Sequence, residues 1–428
     1  MTRLLLLCPE PGRPAMAGVG IRFLEMARHL GLRHEVTLGF PNAPVDLPVI
    51  AGVRLEKYDA GNLPGLVRAA ETVILHAHVS NLYFDRVPTG EAPPLVVDLY
   101  DPFPIENLNY FRELGDGTYR HDRATLERQL RQGDLFLCSS AEQRLFYLGM
   151  LYALGRLNPE TYFADFTLAN LVREVPFGIR LAEPASSPAS GPLLRGVVPG
   201  IGAEDPILLF GGIYDWYDPL SLLAILPALV ARFPALRVVF SANPNAQSTP
   251  QGTYAEVLAV ARDAGWLDRH VYFVPWVAAD ERFNLYREAT VAVVLHRARF
   301  EAEISMRTRI LDFLGAGLPV VATAGGTMSR LLAEEQMGLV VPEGDEAALA
   351  AALTELLASP QRRRELAERG QRWAARHDWE TVLAPLSAYL DAPHIDPHKD
   401  RYPPGSIPPP RPPRRLGRAW WRRFLGRR

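Results

Sequence analysis

Short apolar runs recur along the chain, separated by stretches with helical spacing or by turn residues. Residues 3–8 (RLLLLC) predict a strand, and residues 20–31, apolar at helical spacing and closed by Gly31, predict an amphipathic helix. The runs EVTLGF, TVILHAH, PLVVDLYDP, DLFLCSS and REVPFGI predict further strands, with helices at about 122–132 and 140–156 among them. Apolar runs that do not alternate suit strands covered on both faces, which means a parallel α/β sheet.

Residues 181–204 are rich in Pro, Gly and Ser and read as a linker. A second series then begins. PILLFGG, LRVVFSA, HVYFVPW, VAVVLH, PVVAT and GLVVP predict strands. DPLSLLAILPALVARF, ERFNLYREA, RTRILDFLGAG, TMSRLLAEE and EGDEAALAAALTELLASP predict helices. The fold class is therefore α/β, with two doubly wound, Rossmann-like domains at 1–180 and 205–376. Ligands of such sheets bind at the carboxyl ends of the strands, so a cleft between the two domains is the expected site. From 393 on, the proline-rich sequence reads as an extended linker leading to a tail.

A chain of 428 residues exceeds one ordinary core. The two cysteines, Cys8 and Cys138, each end an apolar run, offer no disulfide framework or metal quartet, and suggest a reducing cytosol. No secretory signal or membrane-spanning stretch is visible, so a cytoplasmic protein, soluble or peripheral, is expected. Net charge is −2, but the last eighteen residues carry eight arginines and no acid, leaving about −10 for the rest. A nucleic-acid binder would not show that distribution. The tail itself, LGRAWWRRFLGRR, pairs Trp420, Trp421, Phe424 and Leu425 with arginines, which suits an anionic bilayer surface contacted through 411–428; a disordered basic tail is the alternative.

GVGIRFL at 18–24 lacks the third glycine of a dinucleotide fingerprint, because Phe23 stands there. What remains is a glycine turn at Gly20 into a helix whose first turn carries Arg22, suited to an anion or a sugar hydroxyl, or simply a tight turn with a solvated arginine. Further on, Arg307, Arg309 and Asp312 precede a small-residue turn. Arg309 and Asp312 share a helix face. Two guanidiniums near a helix start match a diphosphate, and a carboxylate one turn deeper can accept two vicinal ribose hydroxyls. An intrahelical Arg309–Asp312 pair is the plain alternative. Gly325 and Gly326, followed by Thr327, open another helix with free amides. His76 and His78 lack further ligands nearby for a metal, and DLYD has the wrong spacing for a D-x-D motif. Tyr100, Asp101 and His78 end strands of the first half, and His296 ends one of the second; all are cleft candidates.

These segments resemble the retaining glycosyltransferases of family 4, which have the GT-B architecture. The resemblance covers most of residues 1–392 and is carried by GIR with FLEMARHLGLRHEVTL, and by RILDFLGAGLPVVATAGG. A bacterial subgroup resembles it further through DLYDP (98–102), GMLYALGRLNP (149–159) and VPFG (175–178). HDWETVL at 377–383 is similar to the family's last segment, which crosses back onto the first domain, here through 392. The resemblance implies a nucleotide-diphosphate-sugar donor, a saccharide or lipid-linked acceptor, retention at the anomeric carbon, and no metal or other cofactor. It places Asp312 at the ribose. The family's other donor-site glutamate would fall on Ile304, so Glu301 is expected to take the donor-sugar contact. Where the family has an Arg and a Lys for the diphosphate, this chain has Ile213 and Tyr217 after Gly211 and Gly212. Arg307 and Arg309 are expected to substitute, with Trp216 and Asp218 touching base or sugar unless Asp218 is only a helix cap. Arg309, Glu301 and Asp101 are the expected catalytic groups. A non-catalytic nucleotide-sugar-binding subunit of a polysaccharide-assembly complex and a GT-B sugar-nucleotide epimerase remain open.

Overall fold

The computed structural model describes residues 1–180, 191–243, 249–278, 281–403 and 405. The tail at 411–428 and part of the expected linker lie outside the described residues. Seven strands make the first sheet: β1 (Arg3–Leu7), β2 (Glu35–Phe40), β3 (Val53–Lys57), β4 (Thr72–Leu75), β5 (Leu95–Asp98), β6 (Leu135–Cys138) and β7 (Val172–Glu174). Their order is β3-β2-β1-β4-β5-β6-β7, and every pairing is parallel. The second sheet contains β8 (Ile207–Gly212), β9 (Arg237–Ser241), β10 (Val271–Val274), β11 (Val291–Val294), β12 (Val320–Thr323) and β13 (Gly338–Val341). It runs β10-β9-β8-β11-β12-β13, again all parallel. Strand order reverses beside β1 in one sheet and beside β8 in the other, and these are the points where such sheets open a crevice.

The central strands are apolar and buried along most of their length, which is why they read as unbroken runs. β3 was not foreseen because it is an edge strand with a partly exposed, charged pattern. The helix Gly18–Leu30 begins two residues earlier than expected. The stretch at 140–156 is a helix, Ala141–Ala153, followed by a separate turn of helix, Pro159–Ala164, that Asn158 starts with a capping box. The stretch at 122–132 belongs to the longer Phe111–Gln132, broken at Gly115.

The helix Trp379–Leu390 crosses back to the first domain. Trp379 packs on Phe177 with ring centroids 4.9 Å apart, and Gly178 leaves it room, since a Cβ there would stand 2.4 Å from the indole. Residues 394–402, expected to be extended linker, instead dock on the first domain. Arg156, fully buried, binds Asp396 at 2.9 Å, and Lys399 binds Asp134 at 2.9 Å. Among the described residues no helix is long and apolar enough to cross a membrane.

Candidate active site

A cavity of about 280 Å³ opens between the carboxyl ends of the two sheets. Glu10, Gly18, Tyr100, Asp101 and Glu106, in the loops after β1 and β5 and the helices that follow them, form its first wall. Gly211, Gly212, Trp216, Trp276, Arg282, Arg307, Arg309 and Asp312 contribute to the other.

The trio sits on the second wall because the helix Thr308–Ala316 starts there. Gly317, left-handed at φ 70°, ends that helix and lets β12 follow at once. Arg309 lies in its first turn. The Nη1 group donates to the carbonyls of Phe210 at 3.0 Å and Gly212 at 2.9 Å, and the guanidinium lies 4.1 Å from the Tyr217 ring centroid. Gly211 (φ 80°) supplies the left-handed turn between those two carbonyls, a conformation that a side chain would strain. Tyr217 is thus the platform on which both arginines rest, with Arg307 at 5.4 Å. Asp312 lines the same wall one turn on, and the Tyr286 hydroxyl donates to it at 3.5 Å. Burial raises its pKa, and the nearby Arg282 opposes the rise.

Arg307 also lines the cavity but is not a free cation. It holds Glu301 through two hydrogen bonds of 2.7 and 2.8 Å, and both side chains are buried. Burial alone would lower the Arg307 pKa, and the Glu301 carboxylate more than offsets it. Its Nε atom is buried without a partner. Glu301 itself is off the cavity wall, with both oxygens engaged, which corrects the expectation that it contacts the donor sugar. The two residues belong to separate short segments, since Phe300–Ile304 ends before Thr308–Ala316 begins.

Arg22 is also corrected. It is fully buried beneath the first wall, bound to Asp98 at 2.7 and 3.0 Å and to the carbonyls of Val175 and Pro176 at 2.8 and 2.9 Å. It ties the end of β5 to the VPFG loop and does not line the cavity. At the start of Gly18–Leu30, where an anion was expected, Glu10 supplies one. Its carboxylate accepts from the amide of Ala17 at 2.9 Å and from that of Gly20. Burial raises the Glu10 pKa, and the two amides oppose the rise.

Asp218 is a cap, accepting from the Ser221 amide at the start of Pro219–Arg232 and lying away from the cavity. His78 stacks on His121 and faces Asp122 at 3.2 Å, off the cavity wall. His76 is nearer, donating from Nδ1 to the Asp98 carbonyl at 2.6 Å with Nε2 3.9 Å from Asp101. Gly325, Gly326 and Thr327 are set against the helix Phe300–Ile304 rather than on the wall. A Cβ on Gly326 would meet the Ala302 carbonyl at 2.3 Å, and Thr327 donates to Glu142 at 2.7 Å. His296 is buried beside them with neither ring nitrogen bonded, and burial, then Arg307, push its pKa down to about 4.

Trp216 does line the cavity, stacked on Tyr214 at 4.8 Å, and its indole N–H is buried without a partner, as is that of Trp276. Glu106 was missed, although it follows β5 in the loop where a strand-end search would look. Its carboxyl lines the cavity with that of Asp101 and accepts from Ser305 Oγ of the other domain at 2.9 Å. Burial raises both carboxyl pKa values, Glu106 far above its ordinary value. Arg282 was missed too; it reaches across to the Met16 carbonyl at 3.1 Å and lies 4.5 Å from the Trp276 ring. Among the described residues no three His, Cys, Asp or Glu side chains are grouped as a metal ion would require.

This arrangement has relatives. Residues 205–359 match the family described as "Glycosyl transferases group 1". The D-inositol 3-phosphate glycosyltransferase of Salinispora tropica is 31% identical over 427 residues, covering 90% of this chain and 83% of that protein. The phosphatidyl-myo-inositol mannosyltransferase of Mycolicibacterium smegmatis is 28% identical over 217 residues, and this match spans only half the length of each. Among solved structures, the sucrose-phosphate synthase of Thermosynechococcus elongatus superposes with a TM-score of 0.63 at 15% identity, covering 91% of this chain and 98% of that one. The Anabaena protein HepE in complex with UDP and glucose gives 0.63 at 16% identity, covering 92% and 100%. Two parallel sheets facing a cavity give the GT-B fold, and a relative so similar along nearly the whole chain settles the kinship: this protein belongs to the group 1 glycosyltransferases.

Proposed function

We propose that the protein transfers a sugar from a nucleoside diphosphate donor to a hydroxyl acceptor, with retention at the anomeric carbon. The observation that carries this reading is the placement of Arg309, Arg307 and Asp312 together on the second wall of the interdomain cavity. Arg309 keeps donors beyond the two it spends on carbonyls, and these suit the diphosphate; Asp312 suits the ribose hydroxyls. As the sugar–phosphate bond breaks, its electron pair goes to the diphosphate, whose growing charge Arg309 stabilises in a site largely shielded from water. The acceptor oxygen bonds to the anomeric carbon, and its proton passes to the departing phosphate oxygen, so no separate base is needed. No metal takes part in this scheme. Closure of the two domains orients the acceptor and keeps water from the donor.

The UDP-glucose complex of the neighbour HepE, and a relative named as a phosphatidyl-myo-inositol mannosyltransferase, support a role in cell-surface glycan synthesis. In the same reading, residues 411–428 hold the enzyme to an anionic membrane from the cytoplasmic side.

A thermal-shift screen over nucleoside diphosphates and their sugars tests the donor. A ligand at 100 times its Kd adds about 2.7 kcal/mol of stability. Arg309→Ala should abolish both the shift and turnover. Tight donor binding with no turnover on any acceptor would sink the transferase and favour a binding subunit. Co-sedimentation with vesicles containing anionic lipid, lost on removing 411–428, tests the membrane role.

A further inference from the structure

We propose that the acceptor is an uncharged polyol or saccharide, held through its hydroxyls by Asp101 and Glu106, and that a phosphorylated acceptor is excluded. The inference rests on the transferase reading above and narrows its second substrate. The first wall of the cavity carries three carboxyl side chains, Glu10, Asp101 and Glu106, together with the Tyr100 hydroxyl. The cations near this wall are engaged or lie to one side of Asp101 and Glu106. Arg282 crosses to the Met16 carbonyl and stands over the Trp276 ring. Arg22 lies beneath it, fully buried and bound to Asp98. Arg307 is bound to Glu301. Arg13 is exposed on the loop before the helix and acts on Glu10. A phosphate placed against Asp101 and Glu106 would therefore meet carboxyl oxygens where it needs guanidinium or ammonium groups.

The same wall suits alcohols. Asp101 and Glu106 both line the cavity, and burial raises both carboxyl pKa values. Asp101 keeps a buried Oδ1 with no partner, and Arg307 Nε, on a side chain 7% exposed, is likewise buried and unpartnered at the cavity. A hydroxyl both donates and accepts, and so satisfies a carboxylate oxygen and an N–H together. Ser305 holds Glu106 in place from the opposite domain at 2.9 Å. The contrast with the relative from Salinispora tropica, whose name specifies a phosphorylated acceptor, makes the inference specific to this chain.

The test uses the full-length protein, the nucleotide sugar that stabilises it most, and release of nucleoside diphosphate as the readout. The acceptors are D-inositol 3-phosphate, myo-inositol, and a set of neutral saccharides. At least one neutral acceptor should raise release tenfold or more over donor alone, and D-inositol 3-phosphate should add nothing. Glu106→Ala should raise the KM for the neutral acceptor about tenfold with the donor KM unchanged, and the conservative E106Q should keep most of the affinity. In D101N/E106Q, equilibrium dialysis with the nucleoside diphosphate present should show D-inositol 3-phosphate binding more tightly than to wild type. Binding of D-inositol 3-phosphate to wild type with Kd below 1 mM, or transfer to it alone, overturns the inference while leaving the transferase standing. Stimulation by no neutral acceptor also overturns it. Donor release without acceptor reports separately on the transferase: if no donor is bound or hydrolysed, that reading falls first.

Discussion

Glu301→Leu should cost this protein much of its stability, and the loss should be largely recovered by changing Arg307 as well. The pair is held by two short hydrogen bonds, 2.7 and 2.8 Å, with the side chains 3% and 7% exposed. Removing the carboxylate leaves a buried guanidinium with no counter-charge, and its Nε is already without a partner. Breaking one half of a buried pair costs about 3–5 kcal/mol, whereas replacing both halves by apolar side chains is often neutral. For a domain of this size roughly 2–4 °C of melting temperature corresponds to each kcal/mol, so either single change should lower Tm by about 10 °C. Calorimetry on wild type, E301L, R307M and E301L/R307M closes the cycle. The double variant should melt near wild type, with a coupling of several kcal/mol. Additive losses, or an E301L variant that melts with wild type yet loses turnover, would refute the structural pairing and return Glu301 to the donor sugar.

Gly211→Ala should weaken donor binding about fivefold: φ is 80°, a conformation that costs an alanine roughly 1 kcal/mol and is relieved by shifting the Phe210 and Gly212 carbonyls that hold Arg309. Nucleotide-sugar titration checks it, and an unchanged Kd would argue that Arg309 is not in contact with the donor. Asp218→Ala should cost about 1 kcal/mol of stability through the lost cap while turnover stays at the wild-type level; a fall in turnover without melting loss would restore a substrate role. His296→Gln should flatten the acid side of the stability profile. The folded pKa of about 4 lies below the ordinary 6.5, so the unfolded chain takes up this proton first. Stability is therefore intact above about pH 6.5 and lost as pH falls toward 4, by about 3 kcal/mol in full. Denaturant midpoints across that range, compared between wild type and H296Q, decide it; equal slopes would contradict the buried neutral imidazole.

Much of the fold was legible because strands covered on both faces leave unbroken apolar runs, as in RLLLL and TVIL. β3 escaped because an edge strand has no such run. Arg309 and Asp312 could be read together because helix geometry places side chains three apart on one side, while Arg307 precedes the helix Thr308–Ala316. The corrections share one cause. Arg22 reaches Asp98, 76 positions along the chain, and no local spacing announces that bond. Glu301 lies six positions before Arg307 across a break between helices, so helical spacing does not pair them. Glu10 could not be seen to occupy the Gly18–Leu30 amides until the loop that carries it was folded.

Ile179 and Asp378 are partnered in a parallel bridge, and the Ile179 amide donates to the His377 carbonyl at 2.9 Å. The outgoing and returning strands between the lobes are thereby stitched side by side at one edge. Two threads fastened together behave like the spine of a book. A swing of the lobes about that line would leave the stitch intact, whereas sliding past each other would tear it. Contacts far from the spine, such as Arg299 with Asn109 and Arg330 with Glu142, are then the first to part when the covers open.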